Sequence, residues 1–411
     1  MKKYFIAIFF GLLVIMALSS CFPVTTTSSI KKPNSGSIYN PFIYRLHPEY
    51  FVYNAKSQTR LYTKIYFSEL MFAPMGSNKS YEGKVKIEYN IYKPDNLSNY
   101  VDSASVIYEI KKRKGLNNAI TYLNINDNGL EEYYLHIKTS DLLRQTTVED
   151  FLFVNKKVPS AAQNFLISLK STNHPYFKNY FRRDHVFSII HNTPADSVFI
   201  RFYTNNLPLP FPPFSSMLRS KIDTESDSSW SVDGKNEFQF NEQKKGLYFI
   251  QTDTTDQFGL GLLNAGDDFP YLKTSESLVY PLEYLTSTAE FKELLSSSNK
   301  KLAVDKFWQG CGGNLNRARE LIRIYYNRTL YANIYFTSFT EGWRTDRGMI
   351  YLMFGPPKAV KKTPEKETWI YSDRLNYKVL QFVFIRVSNP YSDNDFVLER
   401  NLDFKPFWFK S

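Results

Sequence analysis

Residues 341–358 read EGWRTDRGMIYLMFGPPK: Gly342, Trp343, Arg344, Thr345 and Asp346 in succession, then Arg347, Gly348, a short apolar run, and Gly355, Pro356 and Pro357. These residue types are chemically versatile, yet each also has a conformational use. Gly342 accommodates positive φ and is read as the stop of a preceding helix. Trp343 offers a large ring to seal a junction between helix and sheet. Thr345 and Asp346 accept backbone N–H groups and shape a turn. Arg344 or Arg347 is placed to pair with Asp346, Glu341 or Glu320. Residues 349–354 are short and apolar enough for a strand, which Gly355-Pro356-Pro357 would stop. On this reading the run is a hinge from helix to sheet.

Its surroundings fit that role. Leu315, Ala318, Ile322, Tyr325, Thr329, Ala332, Phe336 and Phe339 step by three and four. They predict one helix of about 24 residues, begun at Asn314 or Asn316 and ended at Gly342. Ser287 to Glu290 forms a capping box ahead of Phe291, Leu294 and Leu295. A second short helix holds Leu302, Ala303 and Phe307. After the hinge, residues 368–371 and 378–386 read as strands of a small antiparallel sheet. Residues 285–411 are therefore an α+β domain.

Several blocks occur here in order: Phe307-Trp308, Tyr325-Tyr326-Asn327-Arg328, Tyr331-Ala332-Asn333, Gly342-Trp343-Arg344-Thr345-Asp346, Asp346-Arg347-Gly348, Gly355-Pro356-Pro357 and Trp369-Ile370-Tyr371. Together they resemble the GWxTD domain of secreted and lipid-anchored proteins of Bacteroidota. The resemblance covers about 285–400. It implies a fold and an envelope location, and it carries no assigned reaction.

Ahead of this domain the chain reads as β-structure. Val85, Ile87, Tyr89 and Ile91 alternate with Lys84, Lys86, Glu88 and Asn90, the pattern of a half-buried strand. Similar runs at 61–67, 105–110, 119–125, 133–137 and 151–154 predict an antiparallel sandwich over 41–157. A second β-rich region, 158–284, has its best strands at 186–190, 197–203, 238–241 and 247–252. Within it, NNLPLPFPPFSS alternates prolines with Leu207, Leu209, Phe211 and Phe214. Such a segment is extended and poor in backbone donors. It serves either as a preformed ridge for a partner protein or as a loop covering its own sheet. The fold class expected is mainly β: two sandwich-like regions, then helices packed on a small antiparallel sheet.

The chain begins MKKYFIAIFFGLLVIMALSSC. A fifteen-residue uncharged run follows Lys2 and Lys3, shorter than the ~20 residues of a membrane-spanning helix. Leu18-Ser19-Ser20-Cys21 looks like a lipoprotein signal, which makes Cys21 the lipidated first residue after a signal peptide of residues 1–20. Several acyl chains on one cysteine hold a protein stably on a membrane. Residues 21–40, rich in Thr, Ser, Lys and Pro, read as a flexible tether. Phe22 in place of Asp points to the outer membrane, and the lack of an early acidic cluster points to its periplasmic face. The net charge of +11 suits anionic envelope neighbours, or is a solvated surface; nucleic acid is a poor partner in that compartment.

Catalytic patterns are sparse. None of the five histidines (His47, His136, His174, His185, His191) falls in 285–411, and no two are spaced as a metal pair. No G-x-S-x-G, phosphate-binding loop or H-E-x-x-H occurs. Cys311 lies in Gly310-Cys311-Gly312-Gly313, read as an exposed loop, and with Cys21 acylated it has no disulfide partner. Paired carboxylates such as Asp346 with Glu341 or Glu320 have glycosidase chemistry within reach. The expectation is thus a non-enzymatic scaffold or accessory subunit of an envelope assembly, secretion or motility complex. It carries no cofactor or metal, and no small-molecule ligand is specified. The alternative is an envelope-polysaccharide or peptidoglycan binder, or a carboxylate-dependent hydrolase.

Overall fold

Alternation puts every second side chain of residues 80–93 on one face. In the computed structural model, that face is buried at Val85, Ile87, Tyr89 and Ile91. The structure describes residues 38–409, apart from 44–45, 57, 76–79, 173, 205–206, 218, 220–224 and 373–378. Cys21, the leader and most of the tether assigned above lie outside the described residues.

Strand Ser80–Lys93 pairs antiparallel with Asn96–Lys111 on one edge and Glu132–Asp141 on the other. Thr146–Asn155 and Ala73–Met75 complete this sheet. Opposite it, Glu49–Ala55, Gln58–Tyr66 and Asn118–Ile125 form a three-stranded sheet. Leu61, Ile65 and Leu123 of the small sheet share one core with Ile87, Leu135 and Ile137 of the large one. That is a sandwich.

The second β-rich region has the same plan. Tyr180–Phe181, Leu260–Asn264, Gly246–Gln251, Ala195–Tyr203 and Ser228–Gly234 form one sheet, in that order. Phe238–Phe240, Phe187–His191 and Phe165–Leu169 form the other. Phenylalanines dominate the core between them. An amide network joins the two sandwiches. Asn54 Nδ2 donates to Asn164 Oδ1 at 2.9 Å, and Asn192 Nδ2 donates to the Asn54 carbonyl at 2.8 Å. Asn54 and Asn164 are buried, so these bonds replace lost water contacts and fix the junction.

The C-terminal part contains α1 (Ser275–Val279), α2 (Thr288–Ser296), α3 (Lys300–Gly312), α4 (Leu315–Phe336) and α5 (Asp346–Phe354). A four-stranded antiparallel sheet follows, Ala359–Lys362, Lys366–Ser372, Val379–Arg386 and Phe396–Leu398, and then α6 (Lys405–Trp408). The capping box at Ser287 and Glu290 is present, and Asn314 caps α4. None of the described helices is long and apolar enough to cross a membrane.

Four expectations are corrected here. The long helix ends at Phe336 and not at Gly342, because Thr337 leaves helical φ/ψ and its hydroxyl donates back to the Asn333 carbonyl at 2.6 Å. Residues 349–354 are helix α5 and not a strand. Met349, Ile350, Tyr351, Leu352 and Met353 are all buried, and a helix enclosed on every side has no polar face to reveal its period. Cys311 sits exposed on the last turn of α3 and not in a loop. The expected tether also ends earlier than residue 40. Tyr39 is buried in the C-terminal core, with its ring 5.3 Å from that of Trp369.

Candidate functional site

The GWRTDRG run sits where α4, α5 and the final sheet meet. Trp343 is buried, edge-on to Tyr284 at 6.1 Å. Its N–H donates to Asn333 Oδ1 at 3.2 Å, and the Gly342 N–H donates to Thr337 Oγ1 at 3.1 Å. The run is therefore docked on the last turns of α4. Gly342 does not occupy the positive-φ region expected of it. Its requirement is space: a Cβ there would overlap the Ala332 carbonyl and lie 2.8 Å from Asn333 Cα. Gly348 is equally confined against Gly342 and Trp343. Gly355 does take positive φ, 75°, and with Pro356 and Pro357 it ends helix α5 where a strand end was expected.

Thr345, and not Asp346, shapes the turn. Its hydroxyl donates to the Gly342 carbonyl at 2.8 Å and accepts from the Gly348 N–H at 3.0 Å, capping α5. Replacing Thr345 with Ala removes both bonds and should cost about 1–2 kcal/mol. Serine should restore most of it, as read by chemical denaturation.

Asp346 and Arg347 point to opposite sides. Asp346 is 4% exposed. Its Oδ2 accepts the Leu398 N–H at 2.9 Å, and its Oδ1 accepts Arg400 Nη2 at 2.6 Å. Burial raises its carboxyl above the usual range, and Arg400 offsets only part of this. Neither Glu341 nor Glu320 is its partner; Glu341 lies 3.8 Å from Arg344 Nε. Beside this pair Arg219 clamps Asp395 with bonds of 2.7 and 2.8 Å. Asp346 offers no open face on which a glycosidic oxygen could be protonated.

Arg347, expected to pair locally, instead donates to Glu367 at 3.2 Å, and both side chains are almost fully buried. Glu367 also accepts from Tyr39 Oη at 2.9 Å and Trp369 Nε1 at 3.0 Å. The Arg347 guanidinium lies 4.0 Å over the Phe396 ring. Burial alone would raise the Glu367 carboxyl, but Arg347 and Lys362 together hold it below its ordinary value of 4.5. A depressed carboxylate stabilises the fold above pH 4.5, and this contribution is lost as pH falls through the native value. The melting-temperature gap between wild type and Glu367→Gln should therefore shrink below pH 4.5. A constant gap from pH 7 to 3 would contradict it.

The proline-rich segment covers the Asp346 side. Leu207, Leu209, Phe211 and Phe214 are half-buried, with Leu209 and Phe214 packed on the C-terminal core. The segment, read as either a partner ridge or a loop over its own sheet, thus packs on the C-terminal core. The segment is rich in acceptors and poor in donors, and the motif's Arg344 together with Arg400 meets that need. Arg344 donates to the Leu207 carbonyl and Arg400 to the Phe211 carbonyl, the latter at 3.0 Å. A cavity of only about 40 Å³ remains between segment and motif.

The other blocks are also engaged inside the fold. Tyr326 Oη donates to the Leu278 carbonyl at 2.8 Å. Arg328 donates to the Leu352 and Met353 carbonyls, each at 2.8 Å, closing the C-terminus of α5. Tyr371 Oη donates to the Gly355 carbonyl at 2.8 Å. Among the described residues, no three His, Cys, Asp or Glu converge as metal ligands. The sequence reading missed Arg400, Arg219, Asp395, Glu367 and Tyr39, which complete the buried clusters.

The geometry defines a mainly β chain ending in a helix–sheet domain organised around a buried Gly-Trp-Arg-Thr-Asp turn. Residues 246–411 match the family model described as the GWxTD domain, and this chain carries a GWxTD domain. The match begins within the second sandwich, at strand Gly246–Gln251. No curated protein matches the sequence. Among solved structures, "Crystal structure of CBD12 from CALX1.2" is similar over 57% of this chain and 84% of that one. The identity is 8% and the TM-score 0.15, which defines no common fold.

Proposed function

We propose that this chain is a non-enzymatic accessory or scaffold subunit of a bacterial cell-envelope complex, in the manner expected of a Bacteroidota lipoprotein. It is anchored by lipid on Cys21 to the periplasmic face of the outer membrane. One observation carries the reading. The side chains of the GWxTD motif make contacts within the fold, and its only acid is buried against a backbone amide and Arg400. A residue so enclosed shapes a domain; it does not meet a substrate. The basic net charge supports anionic envelope neighbours.

Affinity purification of the full chain from its native membrane, after gentle crosslinking, tests this. The expected result is one stoichiometric membrane complex, lost when Cys21→Ser removes the acylation site. Recovery of the protein alone in every detergent would overturn the scaffold reading.

A further inference from the structure

A cavity of about 900 Å³ lies where the first sandwich, the second β-rich region and the C-terminal domain meet. Arg347 and Glu367 form part of its wall, on the side of the motif away from the proline-rich segment. The size is that of a pocket for a compact organic ligand.

Its charges are matched internally. Lys178 lies 2.7 Å from Glu49, Lys362 lies 3.2 Å from Asp150, and Arg347 holds Glu367. Arg386 is engaged by the carbonyls of Pro364, Asp393 and Phe151. With its cations already paired or bonded, the cavity has little to offer a phosphate or a polyanion. Side chains such as Leu46, Val52, Phe151 and Leu260 also line it beside the ions and amides, so a guest needs apolar faces as well as polar edges. What suits it is a neutral ligand rich in hydroxyls.

A second feature narrows the choice. Tyr331 and Tyr335, one turn apart on α4, and His47 present three near-parallel rings. Their centroids are 5.9 and 6.1 Å apart and their planes differ by 20° and 23°. Both pairs are offset-stacked, within the roughly 4.5–7 Å usual for aromatic neighbours, so the three rings form one platform in the cavity wall. Electron-rich ring faces attract polarised C–H groups such as those on one side of a pyranose.

The third feature is an orphaned polar atom. Glu69 accepts the His47 backbone N–H at 2.7 Å and lies 3.2 Å from its Nδ1, which fixes the imidazole. His47 Nε2 is buried and has no hydrogen-bond partner among the described residues. In the neutral tautomer that donates Nδ1–H to Glu69, Nε2 is the acceptor that a ligand hydroxyl would satisfy.

We infer that this junction cavity is a binding site for a neutral oligosaccharide, packed against the platform of Tyr331, Tyr335 and His47 and donating a hydroxyl to His47. The inference does not rest on the partner complex, because binding is read directly. The full chain, held in a detergent without a sugar headgroup, is titrated with chitotetraose, maltotetraose and cellotetraose. Saturation-transfer difference NMR is the readout, with inorganic phosphate and an acidic tetrapeptide as competing probes. At least one tetrasaccharide should show transfer to its ring C–H protons at millimolar concentration or below. His47→Ala and Tyr331→Ala should each weaken it about tenfold or more, measured below the melting temperature of each variant. Absence of transfer from all three sugars would overturn the site, as would binding untouched in both variants. Preferential binding of phosphate or the peptide would overturn it too.

Discussion

Gly348→Ala is expected to be among the most damaging single substitutions in the C-terminal domain, costing about 3 kcal/mol. Two effects of opposite sign compete. Within a helix, Ala is favoured over Gly by about 1 kcal/mol. At this position, however, the added Cβ would overlap the Gly342 carbonyl and lie 2.8 Å from Trp343 Cα. Both neighbours are backbone, so no rotamer change relieves the clash. Either α5 shifts away from the Trp343 turn, or Trp343 leaves its seat against Tyr284. The steric cost wins. Denaturant unfolding of the purified variant checks it; a variant as stable as wild type would show that the junction is looser than described.

The second large effect is expected at the buried pair. Asp346→Asn leaves Arg400 charged, nearly buried, and facing a neutral amide. Removing one partner from such a pair costs about 3–5 kcal/mol, mostly from the uncompensated charge left behind. The raised carboxyl shows that burial is already unfavourable for the Asp346 charge. It follows that neutralising both partners should hurt less than neutralising one. Asp346→Asn with Arg400→Gln retains an acceptor for the Leu398 N–H and removes both charges of the pair. Its stability should return to within about 1 kcal/mol of wild type, a coupling typical of directly contacting residues.

These two residues also show what the sequence reveals and what it hides. Half-buried strands advertise themselves through period two, so residues 85–91 were legible at once. The capping residues Ser287 and Asn314 were equally plain, because their chemistry is local. Helix α5 was misread for the opposite reason: enclosed on all sides, it is apolar at every position from Met349 to Met353. The partner of Asp346 lies 54 residues away at Arg400, and the partner of Arg347 is Glu367. Neither pairing leaves a local pattern. Tyr39 was hidden by the polar composition before it, although its hydroxyl meets Glu367 in the core. The motif was visible as a junction, while the contacts that make it one came from distant segments.

The central claim is that the GWxTD motif acts through folding and not through chemistry. The double variant Asp346→Asn/Arg400→Gln separates these directly. Its thermal melting and its recovery in the crosslinked membrane complex are measured beside Asp346→Asn alone. The account predicts that the single variant loses both stability and complex, and that the double variant regains both although it still lacks the carboxylate. A double variant that melts like wild type yet stays inactive in the complex would contradict it.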